Sequence, residues 1–350
     1  MSEPKKPYFE YIKEENEKLE EKIVSGLEQM LDSDKYKEYL DFCSKMPLRS
    51  LNNQILIFMQ KPEATLCLGY NQWVKKFERH VQKGAKAIKI FAPCMRNISS
   101  EEALDRMLAN PFYESTLSVN AIEAMREKLA RGESVSILSG FKPTNVFDVS
   151  DTEGKDLPEH NICKYLEGDV KNFQRILGTL ENIAGIPIEF RSEEEDSVLK
   201  RGAKGYYSPM TDSIVIKNGM SEIQTISTLV HEIAHSIMHS KDMKAEGIHD
   251  SEAVKGIKEL QAESVSYMVC QRLGIETEEK TFGYIASWID KGDKEKTIET
   301  MKEHLNIIGK CTNLICEGLE KELVIQKETG MEALSEEGLS SEEKEEDLEK

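Results

Sequence analysis

The sequence predicts an α+β protein. Helix-like stretches come in groups instead of alternating one for one with strands. The strand-like runs are short and joined by turns. The chain has 350 residues, and a domain takes ~100–200, so two domains are expected. Boundaries are placed at 1–160 for a mixed helix/sheet domain and 161–322 for a second α+β domain. A disordered acidic tail is expected at 323–350.

Residues 8–45 read as helical, because Leu19, Ile23, Leu27 and Leu31 recur at helical spacing and Pro47 follows. LNNQILIFMQ (51–60) is a second helix, closed by Lys61 and Pro62. Trp73, Phe77 and Val81 mark one face of a helix over 71–81, which Gly84 ends. AIKIFAP (87–93) alternates like a strand. Residues 97–135 are polar and mostly helical, and read as an insertion. NVFDVS (145–150) is a short strand, and DTEGKDLPEHN after it marks the domain boundary. A helix near 167–184 and the strand IPIEFRS follow. GYYSPMTDSIVIKNG (205–219) is a hairpin, Ser221 and Gln224 form a capping-box pattern, and a helix over 253–272 stops at Gly274. Helices continue to about 320 with no internal repeat.

The formal charge is −18, which argues against a uniformly basic nucleic-acid binder. That sum hides a division. Residues 328–350 hold ten acids against two lysines, a net −8 with little apolar content. Residues 36–96 hold eleven bases against four acids, a net +7. No apolar run approaches the ~18 residues of a membrane span. The start, MSEPKKPYFEYIKEENEK, has no apolar signal core. The seven cysteines include no C-x-x-C pair, which fits reduced thiols. A cytoplasmic protein with no membrane partner is expected.

Residues 231–235 are His-Glu-Ile-Ala-His. On a helix, His231 and His235 stand one turn apart and can reach one metal ion, and Glu232 beside them can take a proton from a water. The pentapeptide lies in an amphipathic run just after the hairpin, the context of a zincin. A third ligand is needed. His239 continues the series, but at i+8 it should lie beyond the metal. Glu259 and Glu263 in ELQAE share a helix face and are the better source.

That pair resembles the acidic motif of gluzincins. The resemblance implies Glu259 as ligand and Glu263 as the carboxylate that orients a ligand histidine, with the reverse assignment open. One Zn²⁺ per chain is expected, with Mn²⁺ as the alternative. The mechanism expected is peptide-bond hydrolysis by a metal-activated water with Glu232 as general base. Tyr206 or Tyr207 is the candidate donor to the oxyanion.

The run NQILIFMQ…GYNQWVKKFERHVQKGAKAIKIFAP is similar to the N-terminal single-stranded-DNA-binding domain of ArdC-type antirestriction proteins. NVFDVSDTEGKDLP resembles the segment that closes that domain. HEIAH, ELQAE and FGYIASWI resemble the zincin-like half of those proteins and of LtrC-like relatives. The match covers most of 36–310; the 97–135 insertion and the acidic tail depart from it. The resemblance implies single-stranded DNA as a partner, an unknown protein substrate, and carriage by a mobile element in conjugation. Arg49, Asn53, Lys75, Lys76, Arg79, Lys83 and Lys86 would contact the strand, with Tyr70 or Trp73 stacking a base. Two rivals stay open: a regulatory protease that cleaves a repressor, and a catalytically silent DNA-binding protein with a structural metal site.

Overall fold

The computed structural model describes residues 7–47, 49–110, 113, 117–157, 170–240, 255–275, 282 and 293–346, with side chains to 322. The first helical stretch is two helices, α1 (Tyr8–Gln29) and α2 (Ser33–Lys45). Asp32 separates them: its backbone is extended and its carboxylate accepts from the N–H groups of Asp34 and Lys35, starting the second helix. Helix α3 (Leu51–Gln60) and the two-residue strand β1 (Cys67–Leu68) follow.

Helix α4 (Tyr70–Phe77) is shorter than its apolar spacing suggests. Glu78 turns left-handed at φ 53°, and strand β2 (Arg79–Val81) begins. Val81 therefore continues the four-residue spacing on a strand, not on the helix face.

Strand β3 (Ile88–Ile98), helices α5 (Glu101–Leu108) and α6 (Val119–Ala130), and strand β4 (Val135–Asp148) form one unit. The two short strands expected at 87–93 and 145–150 are the base of this long antiparallel hairpin. The 97–135 stretch is its tip. There α5 and α6, capped by Ser100 and Ser118, enclose a small core of Ile98, Leu104, Tyr113, Leu129, Val135 and Ile137. The sheet order is β1-β4-β3, which leaves β3 at the edge. Two side chains of α3 cover that edge. Asn53 Nδ2 donates to Phe91 O at 2.9 Å and its Oδ1 accepts from Phe91 N at 2.9 Å. Gln60 makes the same pair with Lys89, at 2.9 and 3.1 Å. Each amide satisfies backbone groups that an edge strand leaves unpaired.

Strand β5 (Thr152–Gly154) pairs with β2. The VFD…T-x-G stretch has local structural reasons. Asp148 accepts from the N–H groups of Thr65, Leu66 and Ser150 at 2.8–3.1 Å. Burial alone would push its carboxyl up; these donors hold it below the ordinary value. Thr152 Oγ1 accepts from Arg79 Nε at 2.8 Å. Gly154 sits at φ +137°, where a Cβ would stand 2.5 Å from Glu78 O, so no other residue fits.

The second half holds α7 (Val170–Ala184), β6 (Ile188–Arg191), β7 (Gly205–Ser208), β8 (Ser213–Lys217), α8 (Glu222–Met238), α9 (Lys255–Arg272) and α10 (Lys294–Glu346). The sheet order is β6-β8-β7; β6 runs parallel to β8 and β7 antiparallel. One continuous apolar core runs from Leu19 on α1, through Ile55, Ile90, Ile216, Ile233 and Val265, to Leu319 on α10. The expected domain halves thus share a core. Tyr36 and Ser264 hydroxyls meet at 2.8 Å, and Tyr267 donates to Asp41. Arg272 donates to the carbonyls of Ser44 and Met46 at 3.2 and 2.7 Å, satisfying the C-terminal end of α2. The acidic tail lies beyond the side chains described, and residues 158–169 of the expected boundary and most of FGYIASWI lie outside the described residues. Among the described residues, no helix is long and apolar enough to cross a membrane.

Candidate metal centre

Helix α8 begins at Ser221, whose Oγ accepts from Gln224 N at 3.3 Å. Ile226, Leu229, Val230 and Ile233 on it are buried, while Ile223 in its first turn is exposed. That fixes the rotation of the helix and turns His231 and His235 to one side. Helix α9 runs beside it in the opposite direction: Ser266 donates to Ser227 O at 2.9 Å, while Glu259 meets His235. The Nε2 atoms of His231 and His235 are 3.1 Å apart. Glu259 Oε2 lies 3.5 Å from the first and 3.7 Å from the second.

These three spacings fit one ion. Tetrahedral ligands at about 2.0–2.1 Å from a metal stand about 3.3–3.4 Å from one another. Among the described residues, His231, His235 and Glu259 are the group whose ligand atoms converge this way. The set of two imidazoles and one carboxylate suits a divalent cation of the zinc type. Glu263 lies one turn further along α9, half-buried. The Nδ1 of His235 faces His239 Nδ1 at 2.8 Å. His239 is not one of that group of three, though it lines the same cleft.

Glu232 is 7% exposed. Its Oε2 accepts from Tyr207 N at 2.8 Å, which ties β7 to α8. Gly205 permits that closeness, since a Cβ there would stand 2.9 Å from Thr228 Cγ2 and from Ile216 Cδ1. Burial pushes the Glu232 carboxyl up to about 7. Glu259 goes the other way: the imidazoles of His231 and His235 hold it well below the usual carboxylate range. Two carboxyls in one cleft are thereby separated, one ionised at neutral pH and one poised to exchange a proton.

The cleft holds about 580 Å³ and is lined by Tyr206, Tyr207, Pro209, His231, His235, His239, Glu232 and Glu259. Lys255 and Lys258 also line it. Sequence reasoning missed them, although they lie four and one residues before Glu259. Both tyrosine hydroxyls have carboxylate partners in this structure. The Tyr206 hydroxyl donates to Asp196 at 2.7 Å and the Tyr207 hydroxyl to Asp212 at 2.8 Å. Each has only one hydrogen to give, and a carboxylate already takes it.

The proposed DNA-contacting residues divide. Trp73 is 0% exposed and its indole N–H donates to Phe147 O at 3.0 Å, so it presents no face to a base. Asn53 is engaged by Phe91. The Arg49 guanidinium donates to Cys67 O, and that of Arg79 binds the backbone and Thr152 of β5. Each of those four side chains makes hydrogen bonds within the fold. Tyr70, 53% exposed, and Lys75, Lys76, Lys83 and Lys86 are at the surface.

The HEIAH helix, the carboxylate from the next helix and the small sheet beside them define a zincin-like metal-binding domain. Comparison agrees: residues 189–300 match the family model described as zincin-like metallopeptidase, and residues 13–145 that of the N-terminal domain of anti-restriction factor ArdC. The chain thus carries a segment similar to the ArdC N-terminal domain, followed by one similar to a zincin-like metallopeptidase domain. An uncharacterized protein of Bacillus anthracis is 25% identical over 330 residues, 86% of this chain. The chain spans about half the length of that relative (52%). Crystal structures of the antirestriction protein ArdC from plasmid R388 are also similar. The metal-free one has a TM-score of 0.49 at 19% identity, the Mn(II)-bound one 0.46 at 17%. Each covers 85% of this chain and 97% of its own.

Proposed function

We propose that this chain is an antirestriction protein that binds single-stranded DNA through its N-terminal domain and hydrolyses peptide bonds at a zinc site. The observation that carries the catalytic part is the site itself. Three donor atoms stand at the mutual spacing of a single ion's ligands. A buried carboxyl with a raised pKa lies one residue from the first histidine. When bound, a divalent ion supplies Lewis acidity, which acidifies a water and polarises a carbonyl. The protein's own groups supply the rest. Tyr207 N–H holds one oxygen of Glu232, leaving the other to accept a proton from the attacking water and deliver it to the leaving amine. Burial, which pushes this carboxyl up to about 7 in the metal-free chain, favours its taking up a proton. The ionised Glu259 adds negative charge that favours a cation between it and the imidazoles.

The DNA part is supported by the ArdC-type N-terminal domain and by the exposed lysines at the end of α4 and in the 82–87 turn. Replacing Lys75, Lys76, Lys83 and Lys86 together by alanine should weaken oligo-dT binding by the full chain. Each phosphate contact to a single strand contributes about 0.7 to the slope of log K against log salt, so four lost contacts should reduce it by roughly 3. Zinc content should be unchanged. Equal affinity and slope in parent and variant would remove this surface from the proposal. The same preparation, assayed on unfolded protein substrates with and without chelator, tests the hydrolytic part; no chelator-sensitive cleavage would favour the silent metal site.

A further inference from the structure

A chain of buried polar groups runs from His235 through His239, which also lines the cleft, to Gln261 and His304. His239, which ends α8, is 6% exposed, Gln261 on α9 is 0% and His304 on α10 is 7%. His235 Nδ1 meets His239 Nδ1 at 2.8 Å, and His239 Nε2 meets Gln261 Oε1 at 2.8 Å. Gln261 Nε2 meets His304 Nδ1 at 2.9 Å. The zincin-like match ends at residue 300, so His304 comes from outside it.

Each link needs one donor and one acceptor. A neutral His235 that offers Nε2 to a metal carries its hydrogen on Nδ1 and donates to His239 Nδ1. His239 then carries its hydrogen on Nε2 and donates to the Gln261 carbonyl oxygen. The Gln261 amide donates in turn to His304 Nδ1. All three links run in one direction and match the amide orientation present. Reversal would require three rings to exchange tautomers and the amide to turn over together. In a buried site a half-reversed chain leaves facing acceptors or facing donors, which costs about 1–3 kcal/mol per unmet group.

We infer that His239, Gln261 and His304 are positioning residues that hold the ring plane and tautomer of His235, keeping Nε2 bare for the metal. This rests on the reading of His231, His235 and Glu259 as metal ligands. Helix α10 thereby takes part in the site without touching the cleft. Groups that orient a ligand histidine typically contribute about 10–100-fold to metal affinity.

The test uses the full-length chain, ¹⁵N-labelled, as parent, as Gln261→Leu and as His304→Leu. Long-range ¹H–¹⁵N spectra of the metal-free protein report each ring's tautomer, and competition with a chelator reports Zn²⁺ affinity. The parent should show His235 protonated on Nδ1 and His239 on Nε2. Gln261→Leu should give mixed His235 tautomers and a 10–100-fold loss of Zn²⁺ affinity. His304→Leu should act in the same direction with a smaller loss. If Gln261→Leu does not fold, His304→Leu and the parent spectrum decide. A parent His235 protonated on Nε2, or affinities within about twofold of the parent in every folded variant, overturns the inference. If the parent binds no Zn²⁺, the metal reading fails, and the parent spectrum still tests the chain on its own.

Discussion

Glu232→Gln should lower chelator-sensitive peptide hydrolysis by about 10²–10⁴-fold while metal content and single-strand affinity stay within about twofold of the parent. The amide keeps an oxygen for Tyr207 N–H, so the geometry of the site is preserved, but it cannot take a proton. A second effect separates this variant from a generally damaged one. In the fold, burial pushes the Glu232 carboxyl up to about 7, against an ordinary value of 4.5. Between those values the folded metal-free chain holds a proton that the unfolded chain has released. The stability this group contributes is present below about pH 4.5 and is lost as pH rises through 7. Glutamine never ionises. The metal-free variant should therefore equal the parent near pH 4 and exceed it near pH 8, by something on the order of 3 kcal/mol. Denaturant titration at the two pH values checks this. Undiminished hydrolysis, or a variant less stable than the parent near pH 8, contradicts the role assigned to Glu232. Hydrolysis lost with antirestriction retained would separate the two activities.

Trp73→Ala should destabilise the chain by about 3–5 kcal/mol, the usual cost of emptying a large buried aromatic site. The indole is fully buried, packs on Phe77 with ring centroids 5.6 Å apart and bonds to Phe147 O. Trp73→Phe keeps most of the packing and loses the indole's hydrogen bond to Phe147 O, for a cost of about 0.5–1.5 kcal/mol. At fixed salt Trp73→Phe should bind single-stranded DNA as the parent does. Weakened binding with an unchanged melting temperature would restore Trp73 as a stacking platform.

Trp73 also shows where sequence reasoning stopped. Its spacing to Phe77 signals an apolar face, and such a face belongs in a core unless a ligand covers it. What placed it among DNA contacts was the resemblance, which says which residues recur in order but not why each is there. Asn53, Arg49 and Arg79 have partners that the sequence does not show, for a related reason. Each satisfies backbone groups of Phe91, Cys67 or Thr152, residues distant in the chain. The long hairpin was hidden because the middle of β4, 138–145, buries no residue on either face, so no alternation was left to read. By contrast, His231, Glu232 and His235 were legible because helical spacing alone brings them together. Glu259 was legible because its paired acid four residues later marks a helix face. The partners of Tyr206 and Tyr207 were not, because Asp196 and Asp212 reach them from a turn and a hairpin tip. The His239–Gln261–His304 chain joins three elements; Gln261 stood within the motif already quoted, but nothing local marked His304.

The most direct test of the metal centre is the number of ions per chain, measured by native mass spectrometry after Zn²⁺ loading and desalting. The parent and Glu263→Ala should each carry one ion, and Glu259→Ala should lose it. An ion retained by Glu259→Ala, or lost by Glu263→Ala instead, would contradict the site.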